Sequence, residues 1–373
     1  MHGLTAEQLE FLTRYGFDAD LFARWRTDVA EGRLSKTANA VTGELLAPPQ
    51  KTITKLPGGA TKATKDLVKA GTTAIAEGQL GVVVLNGGMA TRFGGVVKGV
   101  VPVLGRRRSF LALCAEDVLR AQARHGGRIH VYLMNSFATD EATKAHFQEH
   151  DQFGLDDDQV HHFTQFVSLR MQPDGSVFRL ETGEISPYGP GHGDFADAFR
   201  QSGMLAHFQA AGGKHLLVRN VDNLGARIDP VILGNHLKHG TEITCEVAPK
   251  WPEDVGGSPY LFEDRIQLIE QIRYPAGFDP SIVDVFNTNT FTFAAAALAE
   301  PRPLGWYFVE KQVEGRKAVQ IEHLIGEMTR FLQSRFLQVR RSGRDTRFLP
   351  VKTPEDLEAA RDEIREMYDS DGD

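Results

Sequence analysis

The 373-residue chain holds only two cysteines, Cys114 and Cys245. That is too few for a disulfide framework, and their separation is wrong for a zinc knuckle. No apolar run approaches the ~18 residues of a membrane span, and the charged stretch Met1 to Glu10 lacks an apolar signal core. There is no extended basic block. The net charge of −7 comes from the last nineteen residues, where nine acidic side chains from Glu355 to Asp373 face two arginines. The remainder is neutral, which argues against nucleic acid as the main ligand. HExxH, GxSxG and Cys-x-x-Cys are absent, and the histidines show no metal spacing along the chain. His161 and His162 adjoin on a strand and point to opposite faces. These absences together imply a reduced, soluble, cytoplasmic protein.

Hydrophobic residues make up 41% and charged residues 24%, ordinary values for a chain able to bury a core. Residues 1–60 read as a helical N-terminal extension and connector, and 61–373 as the main domain. Thr5 with Gln8 forms a capping box, and 46–64, with its Pro, Gly and Thr, reads as connector. GVVVLN at 81–86 is a strand buried on both faces. Helices over 110–125, 140–150, 195–211 and 230–239 alternate with strands over 129–135, 160–166 and 215–220. This predicts an α/β fold with a mainly parallel sheet. QPDG at 172–175 is a turn, 241–293 adds antiparallel strands, 320–334 is helical, and Thr353-Pro354 opens the last helix.

Four stretches could carry chemistry. LNGGMATRFGG at 85–95 follows the first buried strand. Its glycines let backbone N–H groups approach an anion, and Arg92 and Lys98 add positive charge. A Walker loop and a dinucleotide fingerprint both fail on spacing. GPGHGD at 189–194 reads, taken alone, as a loop histidine with Asp194 capping the next helix. VRNVDNLGARIDP at 218–230 ends a strand in Asp222, which suits either Mg²⁺ or an Asx turn with Asp229 capping. FNTNTFTF at 286–293 sets Asn287 and Asn289 two apart, on one strand face, where two amides suit sugar hydroxyls. Lys311 and Glu322 read individually as surface charges.

In this order, LNGGMATRFGG, MNSFATDEAT (134–143), GPGHGD, NVDNLGA (220–226), FNTNT and FLPVKTPEDL (348–357) resemble the signatures of the UTP–glucose-1-phosphate uridylyltransferase family over about residues 75–357. The resemblance implies a Rossmann-like nucleotidyltransferase (GT-A-like) fold, with a mixed sheet flanked by helices. Leu85, Asn86, Gly87 and Gly88 would hold the uracil and phosphates of UTP, and Gln165 and Gly191 the uridine. His192, Asn220, Asn287 and Asn289 would meet the sugar phosphate, and Glu322 the sugar hydroxyls. Arg92 and Lys98 would face the triphosphate, Asp222 would bind Mg²⁺, and Lys311 would balance charge at the reacting phosphates.

The implied reaction makes UDP-glucose and pyrophosphate from UTP and glucose 1-phosphate. An N-acetylhexosamine or galactose 1-phosphate substrate, or a silent UTP- or UDP-sugar-binding regulator, are the alternatives. GVVKGVV replaces the family's Gly-Pro-Lys-Ser segment around Lys98. Typical members continue into a C-terminal β-helix domain not expected here, which leaves oligomeric state open, monomer included.

Overall fold

The computed structural model describes residues 4–90, 93–252, 254 and 256–369. Thr5 and Gln8 form the expected capping box before α1 (Ala6–Arg14), and the Asp18 carboxylate caps α2 (Ala19–Ala30). The short strand β1 (Ile53–Lys55) precedes α3 (Lys62–Ala76), whose N-cap is Thr61. Then come β2 (Leu80–Asn86), α4 (Phe110–His125), β3 (His130–Asn135), α5 (Asp140–Glu149) and β4 (Val160–Thr164). Helices α6 (Phe195–Gln201) and α7 (Met204–Ala210) lead to β5 (His215–Asn220), α8 (Pro230–His239), β6 (Ile243–Pro249) and β7 (Val285–Ala294). The hairpin β8 (Tyr307–Val313) and β9 (Arg316–Glu322) precedes β10 (Ser334–Gln338), and α9 (Pro354–Ala359) and α10 (Arg361–Asp369) follow.

Eight of these strands form one sheet in the order β1-β10-β6-β7-β5-β2-β3-β4. Its pairings are parallel except where β7 lies antiparallel between β6 and β5. All seven residues of β2 are buried. Because strand side chains alternate, Val83 and Leu85 pack with Phe195, Phe199 and Phe208 on one face, while Val82 and Val84 pack with Phe110, Leu111 and Ile75 on the other. The parallel reading of the first strand therefore holds, with a helical layer on each side. The strands β2, β3 and β5 end side by side, so their carboxyl ends form one edge, the usual ligand edge of an open α/β sheet.

Three expectations change. The segment 46–64 is not wholly connector, because Ile53–Lys55 pairs in parallel with β10 at the sheet edge. The helix expected over 195–211 breaks at Gly203, whose φ of +82° starts α7 afresh. The helix expected over 320–334 is instead the end of β9, a 3₁₀ stretch Ile325–Arg330 and the start of β10. The cause lies upstream. Glu314 and Gly315 have φ of 50° and 70°, the left-handed pair that a two-residue hairpin turn requires. That turn folds 316–322 back on 307–313. The N-terminal helices α1 and α2 then pack Leu12, Phe22, Trp25 and Val29 against Val167, Leu169 and Met171 and against Val319 and Ile321 of β9.

Candidate active site

The glycine loop leaves β2 at the carboxyl edge and returns on itself. Met89–Ala90 pairs with Val96–Val97, and the Lys98 N–H reaches back to the Gly88 carbonyl at 3.4 Å. Gly94 and Gly95, with φ of +87° and +81°, give the reversal a backbone other residues rarely adopt. Lys98 is thereby delivered across the edge to Asp222, and its Nζ donates to Oδ2 at 2.6 Å. The two charged residues that were 124 positions apart now sit as one ion pair at the mouth of β2 and β5. Arg92 lies outside the described residues.

Asn86 ends β2 with its side chain fully buried, and its amide nitrogen donates to Asn135 Oδ1 (2.9 Å) and Thr143 Oγ1 (2.8 Å). Thr139 Oγ1 donates to its carbonyl. Asn86 therefore ties β2 to β3 and α5, and its Oδ1 has no partner among the described residues. Gly99 must be glycine, since a Cβ there would lie 2.4 Å from Asn86 Oδ1. Leu85 is buried beside it, while Gly87 and Gly88 lie further out. Gln165 lies across Gly87 and Gly189: a Cβ on Gly87 would stand 3.1 Å from its amide oxygen and one on Gly189 only 1.5 Å from its amide nitrogen.

The GPGHGD loop and the QIEHL segment form one wall. The Gly193 N–H donates to the His323 carbonyl and the His323 N–H to the Pro190 carbonyl, at 3.0 and 2.9 Å. A Cβ on Gly191 or Gly193 would come within 2.6 Å of the His323 backbone, so backbone meets backbone only because both positions are glycine. Asp194 does not cap α6, contrary to the plainer sequence reading. One of its oxygens accepts the Phe166 N–H (3.1 Å) and the other meets the His323 ring, over which Trp306 stacks at 4.1 Å. His192 Nδ1 accepts the Ile325 backbone N–H at 3.0 Å. A backbone amide can only donate, so the proton of neutral His192 must sit on Nε2. Burial and the neighbouring His323 push the His192 pKa down to about 4, which keeps the ring neutral at pH 7.

On the other side, the strand alternation expected for FNTNT is interrupted. Glu246 pairs with Thr290 but Val247 pairs with Asn287, so Thr288 and Asn289 are extra residues in a bulge. Asn289 takes a φ of 55°, a conformation asparagine tolerates better than most. The two amides consequently diverge. Asn289 Nδ2 donates to Asn220 Oδ1 (2.9 Å), bridging β7 to β5, whereas Asn287 Nδ2 donates to buried Glu270 (3.1 Å). Asn289 Oδ1 is buried with no partner among the described residues, an acceptor left over beside the Asn220 bridge.

Glu322 ends β9 and Lys311 lies on the exposed side of β8. Burial raises the Glu322 pKa, and Lys311, Arg170 and His323 oppose the rise. Gln320, with its amide turned to suit both neighbours, donates to Glu322 Oε1 (2.9 Å) and accepts from Arg170 Nε and Nη2 (2.8 Å each). Arg170, Glu270 and His323 were not picked out from sequence. A lone arginine in the apolar stretch VSLRM was the one readable signal among them.

The mixed sheet and its flanking helices have the α/β nucleotidyltransferase fold. The family model described as UTP–glucose-1-phosphate uridylyltransferase matches residues 44–370, and the chain belongs to that family. A relative so described from Astragalus penduliflorus is 31% identical over 75% of this chain and 61% of its own length. One from Hordeum vulgare is 30% identical over 78% of this chain and 63% of its own. The chain thus spans about three fifths of the length of these curated relatives. Among solved structures, a uridine diphosphate N-acetylglucosamine pyrophosphorylase from Trypanosoma brucei shares the fold with a TM-score of 0.79, at 21% identity, over 96% of this chain and 80% of that one.

Proposed function

We propose that this chain transfers a uridylyl group between UTP and a sugar 1-phosphate, with glucose 1-phosphate as the sugar. The observation that carries the proposal is the Lys98–Asp222 pair, set at the sheet edge between a glycine loop and the Asn220–Asn289 bridge.

A phosphate oxygen of the sugar phosphate attacks the α-phosphorus of UTP. The new P–O bond forms as the bond to the β-phosphate oxygen breaks, and pyrophosphate leaves. Both partners are anions and the attacking phosphate is already ionised, so no side chain has to remove a proton. The work is alignment and relief of repulsion. Lys98 is the cation, among the described residues of the glycine loop, that would meet the triphosphate, and Lys311, whose charge opposes the rise in the Glu322 pKa, would balance charge at the reacting phosphates. His192 presents a neutral Nε2–H that can donate to a phosphate oxygen without titrating near neutrality. Gln165, aligned by Gly87 and Gly189, and Gly191 suit the uridine. Glu322 and the asparagine pair suit sugar hydroxyls.

Magnesium belongs to the same proposal. Mg²⁺ takes one or two carboxylates and completes its shell with phosphate oxygens and water; the single strand-end carboxylate of Asp222 fits that donor set once Lys98 turns to the phosphates. When bound, the ion would neutralise triphosphate charge. Cys114 and Cys245 are both buried free thiols, which supports a reducing compartment, and we place the protein in the cytoplasm. No helix among the described residues is long and apolar enough to cross a membrane.

The test is pyrophosphate release from UTP and Mg²⁺ with a panel of sugar 1-phosphates. Turnover with glucose 1-phosphate well above that with N-acetylglucosamine or galactose 1-phosphate is expected. Preference for another sugar would overturn the sugar assignment, and UTP binding without release from any sugar would overturn catalysis.

A further inference from the structure

We propose that His130, His161 and His207 form a binding site for a divalent transition-metal ion such as Zn²⁺, separate from the nucleotide edge. The three come from the first residue of β3, the second of β4 and the middle of α7. One ring nitrogen from each lies within 4.8 Å of the others, and all three side chains are half-buried. His130 Nδ1 and His161 Nε2 are 3.0 Å apart. Two nitrogens sharing a tetrahedral zinc at ~2.0–2.1 Å would be about 3.3 Å apart, so ion entry needs only a small opening of the pair. The rings of His161 and His207 are 4.3 Å apart, which brings the third ligand to the same point.

The surroundings are those of ligands rather than of packing alone. Metal-binding histidines hold their second nitrogen against a hydroxyl, carbonyl or carboxylate that fixes the ring. Tyr132 Oη lies 3.0 Å from His207 Nδ1 and can accept its proton, which frees Nε2 as a lone-pair donor. The Asp158 backbone hydrogen-bonds His130, and the Tyr132 ring stacks on His161 at 4.8 Å. Three half-buried imidazoles select Zn²⁺, Co²⁺ or Ni²⁺ over Mg²⁺.

The second histidine group, His146, Glu149 and His150, offers two imidazoles and a carboxylate and serves as the control. The three-histidine group lies at the opposite end of the strands from the site above: His130 and Asn135 bound β3, a separation of roughly 16 Å. An ion there would clamp α7 to β4, the edge strand of the sheet. The ligands are invisible in sequence because they come from three separate elements.

The experiment is titration of the full chain, without a histidine tag, with Co²⁺ and then Zn²⁺. One equivalent of Co²⁺ giving the intense visible bands of a four-coordinate site, displaced by Zn²⁺, is expected. His161→Gln and His207→Gln should each weaken binding at least about 100-fold, beyond the range of losing an orienting partner, and Tyr132→Phe about 10- to 100-fold. His150→Gln should leave it unchanged. Tyr132→Phe keeps all three ligands, so it tests the site even if a histidine variant does not fold. Absence of the bands in the parent chain, their survival in folded His207→Gln, or their loss in His150→Gln would overturn the proposal.

Discussion

Two ion pairs on the same sheet show opposite designs. Lys98–Asp222 is a single contact of 2.6 Å with 13% and 17% of the side chains exposed. Arg347–Glu246 has 5% and 0% exposed and two parallel bonds, Nε to Oε2 at 2.9 Å and Nη2 to Oε1 at 2.8 Å. The first joins a flexible stem on a glycine loop to the end of β5, and on the proposed function it would be exchanged for a contact to phosphate. The second lies beneath the β7 bulge, at the point where Glu246 meets Thr290 and the register slips. Thr288 Oγ1 also donates to the Glu246 carbonyl at 2.8 Å. Glu246 and Arg347 thus hold the backbone that turns Asn289 toward Asn220. On the proposed function, the first pair would open during the reaction and the second would keep its surroundings from moving.

The comparison breaks most sharply at Asp222. Asp222→Ala should abolish Mg²⁺-dependent turnover with the fold intact, as measured by pyrophosphate release and circular dichroism; full activity would remove Asp222 from the metal assignment. Lys98→Met should lower kcat/KM by roughly 10²- to 10³-fold, the loss typical of one preorganised donor to developing charge. Its melting temperature should barely move, because a single partly exposed pair contributes little to stability.

Arg347→Met inverts that pattern. It strands the buried Glu246 carboxylate and should cost about 3–5 kcal/mol in denaturant unfolding. Adding Glu246→Gln should recover part of the loss, since the uncompensated charge is then gone. Asn289→Gly keeps the left-handed backbone and removes only the amide. A KM increase for the sugar phosphate of about tenfold, worth ~1.4 kcal/mol, is expected with kcat nearly preserved.

The smallest effect is on pH. His162, His192 and His215 are pushed down to about 4 and His236 to about 3, each chiefly by burial. They stay neutral in the fold but take up protons in the unfolded chain below about 6.5. Between those values the unfolded state binds more protons, so stability falls as pH drops from 6.5 toward 4. The melting temperature should hold steady from pH 8 to 7 and then decline, while kcat shows no His192 inflection in that upper range.

Much of the fold was legible because periodicity reports burial. The all-buried β2, the α4 span, the Thr5 and Thr353 caps and Asp229 capping α8 all stand where local chemistry put them. What failed depended on distant partners or on backbone twist. Strand alternation could not foresee the bulge that separates Asn287 from Asn289, because its cause is the register against β6. The apolar spacing over 320–334 resembled a helix until the Glu314–Gly315 turn is taken into account. The resemblance pointed to Asn86, but only the packing shows that Asn135 and Thr143 take up its amide nitrogen while its oxygen has no partner among the described residues. The signatures located the site, and packing decided which atoms face it.

The most direct test is a crystal structure of the chain with UTP. The account predicts that Lys98 Nζ leaves Asp222 for a phosphate oxygen, while Arg347 and Glu246 keep both of their hydrogen bonds. A Lys98–Asp222 contact still at 2.6 Å with the nucleotide bound would contradict it.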